Sequence, residues 1–343
     1  MESPLVTIVV VSFNSRRWLA RMCAALEAQT ERRWRLVLLD NASKPGERPR
    51  QVDLPPGATL IQSEDNLGFA AGNNQGALGA TTPYLVFLNP DAFPEPPWLA
   101  QLIATAERHA DAAAIGSTQI RADADTIFDG AGDVMHASGI AYRANFGRPR
   151  TAPPPLGETF AACGAAMLVR RDAFEAAGGF DERYFCFFED VDLSFRLRLA
   201  GWRVLQSPEA VVHHVGGGVA GAHNAFTDFH GARNRTWTFV KCMPSTLLWP
   251  LMPLHIASCV FAMGMATLSG RGFTLWRGMA AAFANLRPIL QTRRTLQAQR
   301  RASVGDIARM LAWNPLRLLD RRAVIRPITP ASPPRDAPIR QPR

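Results

Sequence analysis

Residues 185–202, FCFFEDVDLSFRLRLAGW, place three carboxylates (Glu189, Asp190 and Asp192) at the start of a segment with helical spacing. Val191, Phe195 and Leu199 recur on one side of that helix, and Leu193 and Leu197 on another. Acidic side chains in a first turn complement the helix dipole, which accounts for one or two of the three. Asp190 differs, because it shares a face with Leu193 and Leu197. A carboxylate pointing where leucines point is costly unless it has a partner or a task. The helix N-terminus favours its ionised form, which suits a general base. A second set of polar residues closes four short apolar runs: Ser12-Phe13-Asn14, Asp40-Asn41, Asp65-Asn66 and Asn89-Pro90-Asp91. Each alone reads as a turn. Four at one edge of one sheet would converge on a small polar ligand. His213-His214 lead into three consecutive glycines, and an imidazole beside Asp91 fits a divalent ion, Mg²⁺ or Mn²⁺.

Regular elements are needed to hold these groups. Residues 5–11, 35–39, 59–62 and 84–88 are short runs read as strands, 5–11 a continuous β-branched run with the pattern of a strand buried on both faces and 35–39 a second buried strand. Between them lie a helix that Ser15 can cap, with Trp18, Leu19, Met22, Ala25 and Leu26 at helical spacing, and a small-residue helix at 69–80. A further helix runs from about Pro97 to His109. Strands alternating with helices predict a doubly wound α/β sheet, with ligands beyond the carboxyl ends of its strands. No GxxxxGK[ST] occurs; Gly68, Gly72 and Gly76 recur every fourth residue, unlike the GxGxxG of dinucleotide binders, along one side of a helix. Residues 121–160 lose the rhythm and read as a long loop or lid. Short strands return at 164–169, 202–206 and 210–214, with helices at 172–177 and Glu189–Ala200.

The formal charge of +9 over 343 residues would suggest a polyanion partner, but residues 291–343 hold 12 Arg and 3 Asp and carry the whole excess. The body is neutral, so no nucleic-acid partner is expected. Only Lys44 and Lys241 are lysines. Five scattered cysteines with no CxxC pair indicate neither a disulfide framework nor a zinc site. The N-terminus does not read as a signal peptide, and a cytosolic body is expected. After Lys241 come 29 residues without a formal charge, ending at Arg271. Pro244, Pro250 and Pro253 interrupt the first half, leaving 254–269. A single span would also put the arginine-rich tail opposite the body, against the positive-inside rule. An interfacial helix or hairpin on an anionic membrane surface is therefore expected, with a helical subdomain packed on the body as the alternative.

The segments VTIVVVSFNS, LLDNAS, DNLGFAAGNNQG, YLVFLNPDA, GAAMLVRRDAFEAAGGFDERYFCFFEDVDLSFRLRLAGW and SPEAVVHHVGGG resemble, in order, the motifs of family 2 glycosyltransferases, and most closely the rhamnosyltransferase-like branch. The resemblance covers about residues 5–241. It implies a GT-A fold, a Rossmann-like, mostly parallel sheet, and inverting transfer from a nucleotide-diphosphate sugar. dTDP-rhamnose is the favoured donor, and a lipid- or polysaccharide-linked acceptor is implied. Position by position, Ser12, Asn14 and Asp40 would line the nucleoside pocket, with Asp40 reading the base. Asn66, Gly68 and Asn73 would lie against ribose and diphosphate. Asn89-Pro90-Asp91 stands where the family has DxD, with Asn89 in place of the first aspartate and Asp91 reaching the metal. Asp190, in the Glu189-Asp190 pair, matches the catalytic base, and His214 the late metal ligand, with His213 second. Val219-Ala220 stand where the branch often has a serine. The expected organisation is a GT-A domain over 1–241, a helical, membrane-associating extension over 242–326 and a disordered tail over 327–343, peripheral on the inner face of the cell membrane. The rivals are a nucleotidyltransferase, and a catalytically weak scaffold tethered to membrane or RNA by the basic tail.

Overall fold

A computed structural model describes residues 3–216 and 224–328. Val219-Ala220 and nearly all of the expected tail lie outside them. The strands are β1 (Val6–Ser12), β2 (Trp34–Asn41), β3 (Thr59–Ser63), β4 (Tyr84–Leu88), β5 (Ala92–Pro94), β6 (Ala112–Arg121), β7 (Ala124–Ala131), β8 (Asp133–Met135), β9 (Ala141–Arg143), β10 (Gly157–Glu158), β11 (Ala166–Arg170) and β12 (Arg203–His214). The main sheet runs β10-β12-β6-β11-β4-β1-β2-β3, with β5 on β12 and β7 on β6. β3, β2, β1 and β4 are parallel, and β11 enters antiparallel between β4 and β6. The chain is thus α/β with a parallel half formed by β3, β2, β1 and β4, as its sequence predicts.

Alternate residues of β1 serve both faces, which is why its apolar run is continuous. Val6, Ile8 and Val10 pack with Leu19, Met22 and Leu26 of α1 (Arg16–Glu27). Val9 faces the opposite layer, which contains α2 (Gly68–Ala77). α2 sits tight on the sheet: a Cβ on Gly72 would come 3.0 Å from Val11, and one on Gly76 2.5 Å from Val9. The spacing of those glycines is a packing feature. α3 (Trp98–Arg108) covers the first face; α4 (Arg171–Ala176) and α5 (Glu189–Leu199) cover the second. The two apolar sides of α5 meet two cores, Leu193 and Leu197 the sheet, Val191, Phe195 and Leu199 the C-terminal helices.

Three expectations require correction. Residues 121–160 are not one long loop: they carry β7 to β10, and 128–139 are buried throughout. Their pattern is illegible because buried Asp129 and Asp133 face a polar cleft, so no apolar alternation survives. The strands at 202–206 and 210–214 are one strand, β12, with an irregularity between Gln206 and Val211. β6 goes unread because its Ala-Ala-Ala-Ile-Gly start lacks bulk; a Cβ on Gly116 would lie 3.2 Å from Gln206 Oε1.

The C-terminal part is helical: α6 (Ala225–Cys242), α7 (Ser245–Leu268), α8 (Gly272–Ala284), α9 (Leu286–Ala298) and α10 (Val304–Met310). The boundary expected at 241 falls inside α6. α7 runs unbroken through Pro250 and Pro253. Each proline removes one backbone donor, and the packing of Leu248, Leu251, Cys259 and Met263 on the body outweighs that loss. Beyond α10 the chain returns to the sheet, where Glu158 and Arg326 exchange backbone hydrogen bonds of 2.8 and 2.9 Å.

Candidate active site

The carboxyl ends of β1, β2 and β4 bring the predicted polar residues to one edge. Ser12 and Asp40 are register partners on adjacent strands, and both are buried. The Ser12 hydroxyl meets that of Ser15 at 2.8 Å, so Ser15 occupies the start of α1 without capping it through its side chain. Asp40 accepts from the Ser43 amide at 3.3 Å, and the Asn14 Oδ1 from the Lys44 amide at 2.9 Å. Asn66 Oδ1 accepts from Asn41 Nδ2 (2.9 Å) and from the Gly68 amide (3.0 Å), fixing the turn into α2. Gly68 has φ +78°, and a Cβ there would lie 2.5 Å from the Phe185 carbonyl oxygen. Asn73 is buried, its amide donating to the Phe69 carbonyl one turn back. Asn74 exchanges hydrogen bonds of 2.8 Å with the Phe180 backbone, joining α2 to the segment before α5.

β12 separates the two histidines, since neighbours on a strand point to opposite faces. His213 meets Glu95 at 3.1 Å and Asp125 at 3.3 Å. His214 is buried; its Nε2 lies 3.4 Å from Asp91 Oδ1 and 3.3 Å from Asn89 Nδ2. Its Nδ1 lies 2.8 Å from Asp129 Oδ2. Burial disfavours charge on this ring, but hydrogen bonds to Asp129 and Asp91 outweigh it and raise the imidazole to about 9. A carboxylate behind Nδ1 that aims Nε2 at a second carboxylate is the donor set that holds a divalent cation through His and Asp. The residues fit such an ion, which would take the place of the ring proton that Asp91 otherwise favours on Nε2. Asp129 is a site residue that sequence reasoning missed. Arg143 also binds it.

The second pole is the start of α5. Asp190 Oδ2 accepts from the Gly164 amide and Oδ1 from the Val191 amide, both at 2.8 Å. A Cβ on Gly164 would lie 3.3 Å from the Asp190 Cβ, so the glycine makes room for the carboxylate. Burial pushes the Asp190 carboxyl above its ordinary value despite these amides. The helix terminus therefore does not dominate, contrary to the sequence expectation. Glu189 is raised further by burial and by the Asp190 charge, and its Oε2 is buried without a partner. Of the pair, Asp190 is the one with amide donors on both oxygens, which favour its charged form. Asp133, likewise raised by burial and by Asp190, and Cys163 offer ligand atoms within 4.8 Å of Asp190 and of each other. Burial pushes the Cys163 thiol well up too. A soft thiol and carboxyls whose charged forms burial disfavours make a poor cage for Mg²⁺ or Mn²⁺. This cluster is better read as the surroundings of a base. The two poles are continuous, because Asp129 binds both His214 and Arg143, and its charge reaches Asp133 beside Asp190.

The third carboxylate, Asp192, is structural. It is fully buried between Lys241 Nζ (2.7 Å) and Arg196 Nε (2.8 Å), and Tyr184 Oη donates to it at 3.2 Å. The loop before α5 is strained: Phe185, Phe187 and Phe188 have φ of 64°, 69° and 69°. Such conformations cost about 1–3 kcal/mol each and persist only when held. Asn234 of α6 holds them; it is buried, and its amide nitrogen lies 2.8–3.0 Å from the carbonyl oxygens of Tyr184, Cys186 and Phe187.

Comparison with known proteins matches the model of "Glycosyl transferase family 2" to residues 7–178. An N-acetylglucosaminyl-diphospho-decaprenol L-rhamnosyltransferase of Mycobacterium tuberculosis is 32% identical over 239 residues, covering 61% of this chain and 76% of that protein. The O-antigen biosynthesis protein RfbC of Myxococcus xanthus is 28% identical over 233 residues, 62% of this chain and 17% of that one. Among solved structures, GalNAc-T7 with UDP, GalNAc and Mn²⁺ superposes with a TM-score of 0.55 at 17% identity, over 70% of this chain and 48% of that one. The mannosyltransferase PcManGT of Pyrobaculum calidifontis, with GDP-Man and Mn²⁺, gives 0.50 at 18% identity, over 87% and 86%. These two likenesses concern the fold.

Proposed function

Because the chain belongs to glycosyl transferase family 2 and is a glycosyltransferase, we propose that it moves a deoxysugar, with dTDP-rhamnose as the favoured donor, onto a lipid-linked acceptor with inversion at the anomeric carbon. The observation that carries this reading is the pair of connected poles, the Asp91–His214–Asp129 relay and the half-buried Asp190. Glycosyl transfer builds positive charge on the sugar and negative charge on the departing diphosphate. Asp190 holds two amide hydrogen bonds, one on each carboxylate oxygen, and takes the proton of the acceptor hydroxyl on a remaining lone pair. Asp91 and His214 would hold Mg²⁺ or Mn²⁺, which supplies charge neutralisation to the leaving diphosphate. Asp129 keeps the His214 ring aimed. Ser12, Asn14, Asp40, Asn66, Gly68, Asn73 and Asn89 are assigned to the nucleotide sugar. Their common edge of the sheet supports that assignment.

The acceptor class follows from the decaprenol-linked substrate named for the M. tuberculosis relative and from the surface of the helical part. α7 is long and apolar enough to cross a membrane, yet one side of it is packed on the body. Its other side exposes Trp249, Ile256, Val260 and Phe261, and α8 adds Phe273, Trp276 and Phe283. Arg277, Arg287 and Arg294 are exposed beside them. Apolar and aromatic residues flanked by arginine suit the surface of an anionic bilayer, entered from one side. The reading thus keeps 1–241 as the catalytic part and 242–326 as the part that faces the membrane, on its cytoplasmic side.

Thermal-shift titration with TDP, UDP and GDP, each with and without Mn²⁺, tests the donor half of the proposal. A ligand that binds the folded state raises the melting midpoint with concentration. The expected result is a Mn²⁺-dependent rise with a pyrimidine diphosphate that Asp91→Ala loses. A chain that responds to no nucleotide would contradict it.

A further inference from the structure

A cavity of about 220 Å³ lies between α6, α7 and α8, behind the turn that opens α5. Its walls include Phe188, Cys259, Met263, Leu275 and Met279, with Arg235 as the cation among them. Arg235 is the anomaly. Its Nε is buried without a partner, and its Nη2 finds only the Cys259 sulfur, at 2.9 Å. Asp228, also on the wall, is already engaged by Arg271 at 3.0 Å. Among the described residues no carboxylate pairs with Arg235. A half-buried guanidinium without an anion is costly, and a phosphate oxygen is the acceptor its planar fork matches.

Two further observations orient the cavity. Phe188 directly precedes Glu189-Asp190, so one wall adjoins the proposed base. On the other side the lining continues into the exposed apolar surface: Ala262 and Leu275 line the cavity while their neighbours Phe261 and Trp276 face outward. The apolar lining from α7 and α8 (Ala262, Met263, Leu275 and Met279) thus joins that exposed surface to the cavity wall next to Glu189-Asp190.

We infer that the cavity binds the membrane-proximal end of the acceptor's lipid, a prenyl chain ending in phosphate, with Arg235 on the phosphate and Met263, Leu275 and Met279 on the chain. This rests on the lipid-linked acceptor proposed above. The test uses the full chain and two variants, Ala262→Phe, which fills the cavity, and Arg235→Gln, which removes its charge. KM is measured for a prenyl-diphosphate-linked sugar and for the methyl glycoside of the same sugar. Each variant should raise KM for the prenyl acceptor about tenfold or more, the loss expected when a hydrogen bond to a charged group or a buried apolar contact goes. KM for the methyl glycoside should stay within about twofold on the same scale, and Arg235→Lys should recover part of the loss. Parallel changes for both acceptors, or no change for either, would overturn the assignment. Calorimetric binding of farnesyl diphosphate, with the nucleotide site saturated by TDP, decides the site independently of turnover. Binding to the wild type that either variant weakens supports the site even if the chosen acceptors are wrong, and no binding to the wild type overturns it.

Discussion

At the scale of single residues the molecule withdraws carboxyls from water, with Glu189 and Asp133 buried and Asp190 half-buried. Asp190, Glu189 and Asp133 are all pushed upward, with burial the largest cause. A carboxyl whose folded value lies above its unfolded one binds its proton more tightly in the folded chain. The stability it contributes is present in full below about 3.8 for Asp190 and is lost as pH rises through the raised folded value. Asp190→Asn and Glu189→Gln should therefore raise the melting temperature at pH 7–8, by a margin that shrinks toward acid pH. Asp190→Asn should also lower transfer by about 10²–10⁴-fold, the range of a lost general base. The acid limb of the wild-type rate profile should lie above the ordinary aspartate value. A melting curve at several pH values and a transfer assay check both, and a variant less stable than wild type at pH 8 would contradict the burial argument. Asp190 was legible from the sequence because its position on an apolar helix face had no bland explanation. Asp129 was not, because an aspartate followed by Gly130 looks like a loop residue until its partner His214, far along the chain, is seen beside it.

At the scale of elements, the site depends on how α5 and α6 are locked. Lys241, fully buried, reaches Asp181 at 2.6 Å and Asp192 at 2.7 Å, while Asn234 holds the strained turn ahead of α5. Lys241→Met removes the cation that Asp181 and Asp192 share, leaving Asp181 with Arg183 and Asp192 with Arg196, and should destabilise the fold by about 1.5–3 kcal/mol, the range for a lost hydrogen bond to a charged group. Denaturant unfolding measures this; a loss below about 1 kcal/mol would mean the pair is hydrated rather than buried. Sequence reading placed β1, β2, β4 and α5 correctly because each carries a dense apolar pattern. It missed β6 through small residues and β7 to β10 through polar ones, since periodicity reports core-facing side chains and those strands face a cleft or a close-packed neighbour. It also broke α7 at its prolines, where tertiary packing overrides local propensity.

At the scale of the whole molecule, the excess of arginine is partly structural. Arg293 donates to the Val240 and Met243 carbonyls, and Arg309 reaches buried Glu158 at 3.3 Å. What remains for a membrane is the exposed apolar side of α7 and α8 with Arg277, Arg287 and Arg294. Phe261→Glu combined with Trp276→Glu should reduce co-sedimentation with anionic vesicles about tenfold or more, given the burial energy of two aromatic side chains. High salt alone should reduce it less. Equal sedimentation of wild type and variant would place the membrane contact elsewhere.

The central claim, inverting sugar transfer with Asp190 as base, is tested most directly by a single-turnover reaction of dTDP-rhamnose with a lipid-linked acceptor and by the anomeric configuration of the product. The account predicts one added deoxysugar of inverted configuration from the wild type and a loss of about 10²–10⁴-fold in rate from Asp190→Asn. A product of retained configuration, or an Asp190→Asn variant as fast as the wild type, would contradict it.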